Sequence, residues 1–167
     1  YLAVLEAAAE AGSPWLALGD GATLELDGLM VEFLHPSAAD SALETNDASV
    51  VMRVEYGAFS ALLTGDASVG VEEGLVARWG VALEAEVLKA GHHGSSTSTS
   101  GGLLAATGAR DAVISAGRGN RYGHPHASVL ARLDAAGVRV VRTDREGSIV
   151  VRGDAAGRME IEVERER

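Results

Sequence analysis

The sequence predicts an α/β layered domain, and three observations carry that expectation. Apolar, β-branched segments first follow one another directly and then alternate with segments of helical pattern. Hydrophobic residues make up 47% and charged residues 23% of the 167 residues, a balance that lets the chain bury a globular core. Glycines, 21 in all, punctuate the boundaries between segments. Aromatics are only 4%, which leaves Val, Leu, Ile and Ala to fill the core.

Residues 1–10 are Ala-rich and read as a helix that Gly12 ends. Thr23–Leu26 and 29–34 read as strands joined by an Asp27-Gly28 turn, with Pro36 closing the ribbon. Residues 49–56 alternate and are β-branched at Val50, Val51 and Val54, and 58–63 pairs with them across Gly57. Residues 67–79 read as a helix ending at Gly80. A short buried strand at 85–89 leads into a polar loop, 91–102. A short helix at 103–107, a strand at 112–115 and an amphipathic helix at 127–136 follow, the last stopped by Gly137. Strands at 138–142, 148–151 and Met159–Val163 complete the pattern. No internal repeat or long linker divides the chain, so 1–167 reads as one unit.

The net charge is −10, which argues against indiscriminate nucleic-acid binding. The charge is uneven. Residues 1–84 carry fourteen Asp and Glu against Arg53 and Arg78, whereas 85–167 carry ten against twelve Lys and Arg. Between 110 and 145 seven Arg face Asp111, Asp134 and Asp144. That stretch reads either as a local basic surface for a polyanion or as scattered salt-bridge partners on solvated faces. The absence of cysteine excludes disulfides, thiolate metal sites and a cysteine nucleophile. No apolar run approaches the roughly 20 residues of a spanning helix. Tyr1 opens mid-pattern with no basic leader, as in a soluble piece excised from something longer.

Chemistry-bearing residues cluster at strand ends. Thr64-Gly65-Asp66-Ala67 closes an apolar strand, where α/β folds place ligands. Asp66 reads as a cation ligand or as the N-cap of the next helix. His92 and His93 lie between Gly91 and Gly94 after the next strand. On extended backbone their side chains point to opposite faces, so one would ligate and the other orient it or contact substrate, unless the chain bends sharply. Asn120-Arg121-Tyr122-Gly123-His124-Pro125-His126 precedes a helix start, and Arg118 lies just upstream. Arg, His and a helix N-terminus suit a phosphate, while His126 alone reads as a surface residue. The hydroxyl-rich run from Ser95 to Ser100 reads as a phosphate-binding loop or a solvated flexible one. Thr45-Asn46-Asp47-Ala48-Ser49 is a polar cluster entering a strand, consistent with turn chemistry. His35 before Pro36 reads as structural.

Together these runs resemble the carboxy-terminal metallo-β-lactamase-like domain of ComEC-type competence proteins, the DNA-uptake channel family. The resemblance rests on Asn46 to Ser49, Leu62-Leu63-Thr64-Gly65-Asp66-Ala67, Val87-Leu88-Lys89-Ala90-Gly91-His92-His93-Gly94-Ser95, Val113-Ile114-Ser115, Asn120 to His126, and Arg142-Thr143-Asp144-Arg145-Glu146-Gly147-Ser148-Ile149. It covers about two thirds of the chain, taken in order. It implies an αββα sandwich with a mixed sheet, a site at the sheet edges and one or two divalent metals, Zn or Mn. It implies a soluble nuclease-like domain attached to a bacterial membrane channel, on its outer side, that degrades the non-transforming DNA strand. Asp66 would match the bridging metal ligand and His92 the late histidine ligand, with His93 as the competing assignment. Asn46, Ser49 and Ser95 would lie along the substrate, and His124 with Arg121 at its phosphates.

The superfamily's early His-x-His/Asp-x-Asp-His cluster does not occur: the five histidines are His35, His92, His93, His124 and His126. The chain thus reads as the second half of such a domain. Two ligands fall short of the three that catalytic zinc takes, so metal binding and independent catalysis are expected to be weak or absent in this piece. Unpaired sheet edges in a half-domain favour dimerisation or domain swapping. The competing readings are a non-catalytic DNA-contacting module and a phosphorylcholine-esterase-like phosphoester hydrolase, since His-His-Gly-Ser also occurs there.

Overall fold

The computed structural model describes residues 2–14, 18–37 and 45–164. In chain order the elements are α1 (Leu2–Glu10), β1 (Thr23–Leu26), β2 (Leu29–His35), β3 (Val51–Tyr56), β4 (Phe59–Leu63), α2 (Val69–Trp79), β5 (Val87–Lys89), α3 (Gly101–Thr107), β6 (Asp111–Ile114), α4 (Ala127–Ala135), β7 (Arg139–Arg142), α5 (Thr143–Glu146), β8 (Ile149–Gly153) and β9 (Met159–Val163). The chain is an α/β fold built on a seven-stranded mixed sheet in the order β1 to β7. Tyr1, the first residue of the predicted opening helix, lies outside the described residues.

Turn chemistry sets the first half. Asp27 and Gly28 both take positive φ, +49° and +82°, which matches the twist of a tight hairpin between β1 and β2. β2 to β4 continue antiparallel, with Met52 opposite Leu63 and Val54 opposite Ala61. From β4 onward the pairs are parallel, joined through α2, α3 and α4. Leu63, Lys89 and Val113 lie in register, so β4, β5 and β6 end at the same edge. Three segments distant in sequence are thereby delivered to one place.

Alternation along the strands assigns the faces. Leu62, Leu88 and Ala112 form one row and are wholly buried in a cluster with Leu75 of α2, Leu103 and Leu104 of α3, and Val129 and Leu133 of α4. The opposite row, with Met52, Val54, Ala61, Leu63 and Val113, is only half-buried. β8 and β9 do not extend the main sheet. They form a separate hairpin, tied where Ala58 N–H donates to Ala155 O at 3.0 Å and where Gly153 lies against the Phe59 ring.

Several boundaries differ from those expected, for local reasons. α2 starts at Val69 with Ser68 as its cap, because the preceding residues are held in a turn by Ala67 N–H to Thr64 O. A 3-10 turn at Gly80–Leu83 and the single turn of α5 are too short to show periodicity. The hydroxyl-rich loop differs most. Ser95, Ser98 and Thr99 are buried, and the loop is organised around the side chain of Glu72, itself wholly buried on α2. The Glu72 carboxylate accepts Thr99 N–H at 2.5 Å and Ser100 N–H at 2.7 Å. Arg132 of α4 donates to the Thr99 and Ser98 carbonyls at 3.0 and 2.9 Å. Thr99, a β-branched residue, sits at φ +55°, a strained conformation that these bonds hold. Its hydroxyl accepts Gly91 N–H at 3.1 Å, while Ser98 Oγ donates to Gly91 O at 2.7 Å. The loop therefore grips the end of β5. Burial pushes the Glu72 carboxyl up from its ordinary value, and the Ser100 and Thr99 bonds and the Arg132 charge pull it back.

Two outcomes follow from these contacts. Glu72→Gln places an amide N–H₂ where one backbone N–H needs an acceptor, and is expected to lower stability by about 1–3 kcal/mol in denaturant unfolding. Equal stability would show that the charge is not what holds the loop. Gly153→Val drives a Cβ to 2.2 Å from the Phe59 ring. It is expected to strip hydrogen-exchange protection from β8 and β9 while Leu62 and Leu88 amides keep theirs.

Candidate functional site

The site occupies the shared edge where β4, β5 and β6 end. After β4, Gly65 takes φ +56°, and a Cβ on that backbone would lie 2.8 Å from the Ser49 Cβ, so both the turn and the close approach call for glycine. Ser49 Oγ accepts Asp66 N–H at 3.0 Å, and Asp47 Oδ1 accepts Ser68 N–H at 3.3 Å. The polar cluster before β3 thus fixes the turn that presents Asp66. Asp66 lies two residues before the helix cap and leaves its half-exposed carboxylate toward the neighbouring strand ends.

After β5 the backbone does not stay extended. His92 (φ 46°, ψ 45°) and His93 (φ 57°, ψ 22°) are both left-handed, inside a 3-10 turn over Gly91–Gly94. Such backbone costs non-glycine residues on the order of 1–3 kcal/mol each and concentrates at functional sites. Hydrogen bonds on both sides hold it: His92 N–H to Gly65 O at 3.0 Å, Ser95 N–H to His92 O at 2.9 Å, and His126 N–H to Gly94 O at 2.8 Å. Gly94 itself packs on Pro125, where any Cβ would come within 2.6 Å. The sharp bend keeps the two imidazoles together, with centroids 6.4 Å apart.

His93 is the ring nearer Asp66, its Nε2 lying 3.7 Å from Oδ1. Its Nδ1 lies 2.8 Å from Ser115 O, and a carbonyl only accepts, so Nδ1 carries the proton. In the neutral ring Nε2 then holds the free lone pair beside the carboxylate. A gap of 3.7 Å is too long for a hydrogen bond, and close to the spacing of two ligands each about 2.1 Å from a shared cation. His92 turns instead toward His124, with centroids 5.8 Å apart. Among the described residues no group of three or more His, Asp and Glu side chains is arranged to hold a metal ion. Among the described residues the pair Asp66 and His93 falls short of the three protein ligands that a catalytic zinc takes.

His124 comes from the loop after β6. Asn120 staples that loop with its whole amide: Nδ2 donates to Gly117 O and His124 O at 2.9 and 2.6 Å, and Oδ1 accepts Tyr122 N–H and His124 N–H at 3.2 and 3.0 Å. The His124 ring stacks with Tyr122 at 5.9 Å and 20°, and its Nδ1 is buried without a hydrogen-bond partner. Burial, followed by the nearby His92, His93 and His126, pushes its pKa below the usual histidine value, while Asp66 opposes the shift.

The remaining expected residues are spread more widely. Arg121 is exposed; its guanidinium lies 5.0 Å from the Tyr122 ring centroid and donates to the Tyr122 hydroxyl at 2.9 Å. Ser95 is buried, with its hydroxyl 3.0 Å from that of Thr97. Asn46 is exposed, and its carbonyl accepts Ser49 N–H. His126 caps α4, its Nδ1 accepting Ser128 N–H at 3.2 Å. His35 Nε2 lies 2.6 Å from Asp47 O. Two residues escaped the sequence reading. Glu72 carried no local signal, since its partners are 27 and 28 residues away. Lys89, the only charge on β5, places Nζ 3.4 Å from Gly65 O and 3.3 Å from Ala90 O. Burial lowers its pKa, and the Asp66 charge partly restores it.

The histidine cluster has a measurable signature. In an NMR titration the His124 ring is expected to protonate below the usual 6.5, staying neutral as the pH falls past that value. His92→Gln removes a competing positive charge and should move the midpoint upward. An unmoved midpoint would show the rings do not sense each other.

No family model matches the chain. It is 42% identical over 123 residues to Competence protein ComA of Neisseria gonorrhoeae, covering 74% of this chain and 18% of that protein. It is 39% identical over 149 residues to ComE operon protein 3 of Bacillus subtilis, covering 89% and 19%. It is 38% identical over 124 residues to Recombination protein 2 of Haemophilus influenzae, covering 74% and 15%. The chain thus spans less than a fifth of the length of these curated relatives. By these similarities the chain is related to one segment of a competence-protein family.

Proposed function

We propose that the chain is the DNA-handling portion of a metal-dependent phosphodiesterase domain, of metallo-β-lactamase-like fold, in a bacterial DNA-uptake protein. The observation that carries this reading is the strained pair His92–His93, held so that His93 Nε2 comes 3.7 Å from the Asp66 carboxylate. A chain tolerates two adjacent left-handed imidazoles where their placement has a use. The names of the relatives support competence as the setting. No helix of the described residues is long and apolar enough to cross a membrane, so the channel part of the parent would lie outside them. The domain would sit on the outer side of that channel and act on the strand that is not taken up.

In this reading Asp66 and His93 supply two ligands, and the others come from outside the 167 residues. A bound divalent cation would supply charge to a phosphoryl oxygen. Ser115 O fixes the His93 tautomer, and His124, neutral near pH 7, offers substrate a hydrogen-bond acceptor. A second reading, a DNA-contacting module without catalysis, is favoured by the lack of a three-ligand cluster among the described residues.

Manganese-dependent cleavage by a longer piece of the parent separates the two. Asp66→Asn there is expected to lower cleavage by about 100-fold or more without moving the melting temperature. A longer piece that is inactive with Asp66 intact would leave the non-catalytic module standing. A fall in melting temperature with Asp66→Asn would make Asp66 structural.

A further inference from the structure

Resting on the DNA-handling role proposed above, we propose that the cleft beside His93 and His124 is a stacking site for one unpaired nucleobase, with Tyr122 as its platform. The cleft has a volume of about 270 Å³ and lies between the 115–117 segment and the Tyr122–His124 pair, with His93 lining it. That is room for a single base. Tyr122 is 67% exposed, a large aromatic left in solvent by a chain with only 4% aromatic residues. Its ring is aligned within 20° of the His124 ring, and the Arg121 guanidinium lies beside it, so two flat groups already accompany the platform.

The polar groups of the cleft argue for stacking rather than edge reading. Asn120 spends both its oxygen and its nitrogen on the loop. Ser115 O is taken by His93, and the Thr143 hydroxyl bonds both Ala116 N–H and Ala116 O at 2.8 Å. The side chains left to meet a base edge are the Ser115 and Tyr122 hydroxyls and the His93 and His124 rings, whereas every base has a face. The site is therefore tolerant of sequence. It also favours unpaired strands, since base pairing in a duplex keeps both faces stacked on neighbours. Arg121 and Arg118, on the same loop, supply positive charge for the adjoining phosphates in a chain that is otherwise acidic.

The test uses the 167-residue chain in EDTA, so that no cleavage enters the reading. The probes are a fluorescein-labelled 20-mer of thymidine, a 20-base-pair duplex, and a 20-mer carrying 2-aminopurine. The chain is expected to bind the unpaired strand more tightly than the duplex and to quench 2-aminopurine. Tyr122→Ala should weaken single-strand binding by about tenfold and abolish the quenching, and Tyr122→Trp should restore both. Because Tyr122 is exposed, melting curves are expected to be unchanged. Equal single-strand affinity with Tyr122→Ala, or equal loss for strand and duplex, overturns the stacking site and leaves the DNA-handling role intact. Tighter binding of a uridine 20-mer overturns the assignment to DNA. No binding of any DNA by the unaltered chain overturns this site and the DNA-handling role together.

Discussion

A buried carboxylate underlies the geometry of this edge of the fold. Glu72 leaves water entirely, a step that costs several kcal/mol for an unpaired charge, and recovers it through two backbone N–H groups of the 95–100 loop. Arg132 grips the same loop through its carbonyls from the other side. Between them Thr99 is held in a backbone conformation that its β-branched side chain disfavours. Thr99 and Ser98 then fix Gly91, and the histidine turn begins at the next residue. The position of the imidazoles is thus transmitted from α2 and α4 through hydrogen bonds, with no side chain of either helix reaching the cleft.

Electrostatics reinforces that placement. One carboxylate faces a lysine and several imidazoles across the ends of three parallel strands. Burial, and after it the neighbouring imidazoles, disfavours the protonated form of His124. The result is a patch that is acidic at Asp66, neutral at His124 and basic along the Arg118–Arg121 loop. Such a gradient arises in a chain whose first half is strongly acidic and whose second half is nearly balanced.

Much of the architecture was legible before any coordinates. Asp27-Gly28 and Gly57 announced hairpins, and the apolar runs at β4, β5 and β6 announced buried strands, because period and turn residues are local signals. Asp66, His92, His93 and His124 stood out as polar breaks at strand ends. Their mutual orientation did not. The expectation of opposite-facing histidines assumed extended backbone, and two consecutive left-handed residues lie outside that assumption. The hydroxyl loop read as solvated because Ser and Thr carry no periodicity, and its partner, Glu72, is far away in the sequence. At the α4 start the His126 ring takes up the Ser128 N–H, a local cap that no periodicity signals.

The left-handed histidines also set a conflict between durability and use. Glycine would sit at 92 or 93 without strain, and asparagine with less. A screen for heat resistance alone would therefore be drawn to these two positions early and would remove the imidazoles while the molecule grew more robust. Under the proposed function, ageing well and acting on a ligand are opposed at a single dipeptide, and hardening this domain then means holding His92 and His93 constant and seeking gains elsewhere.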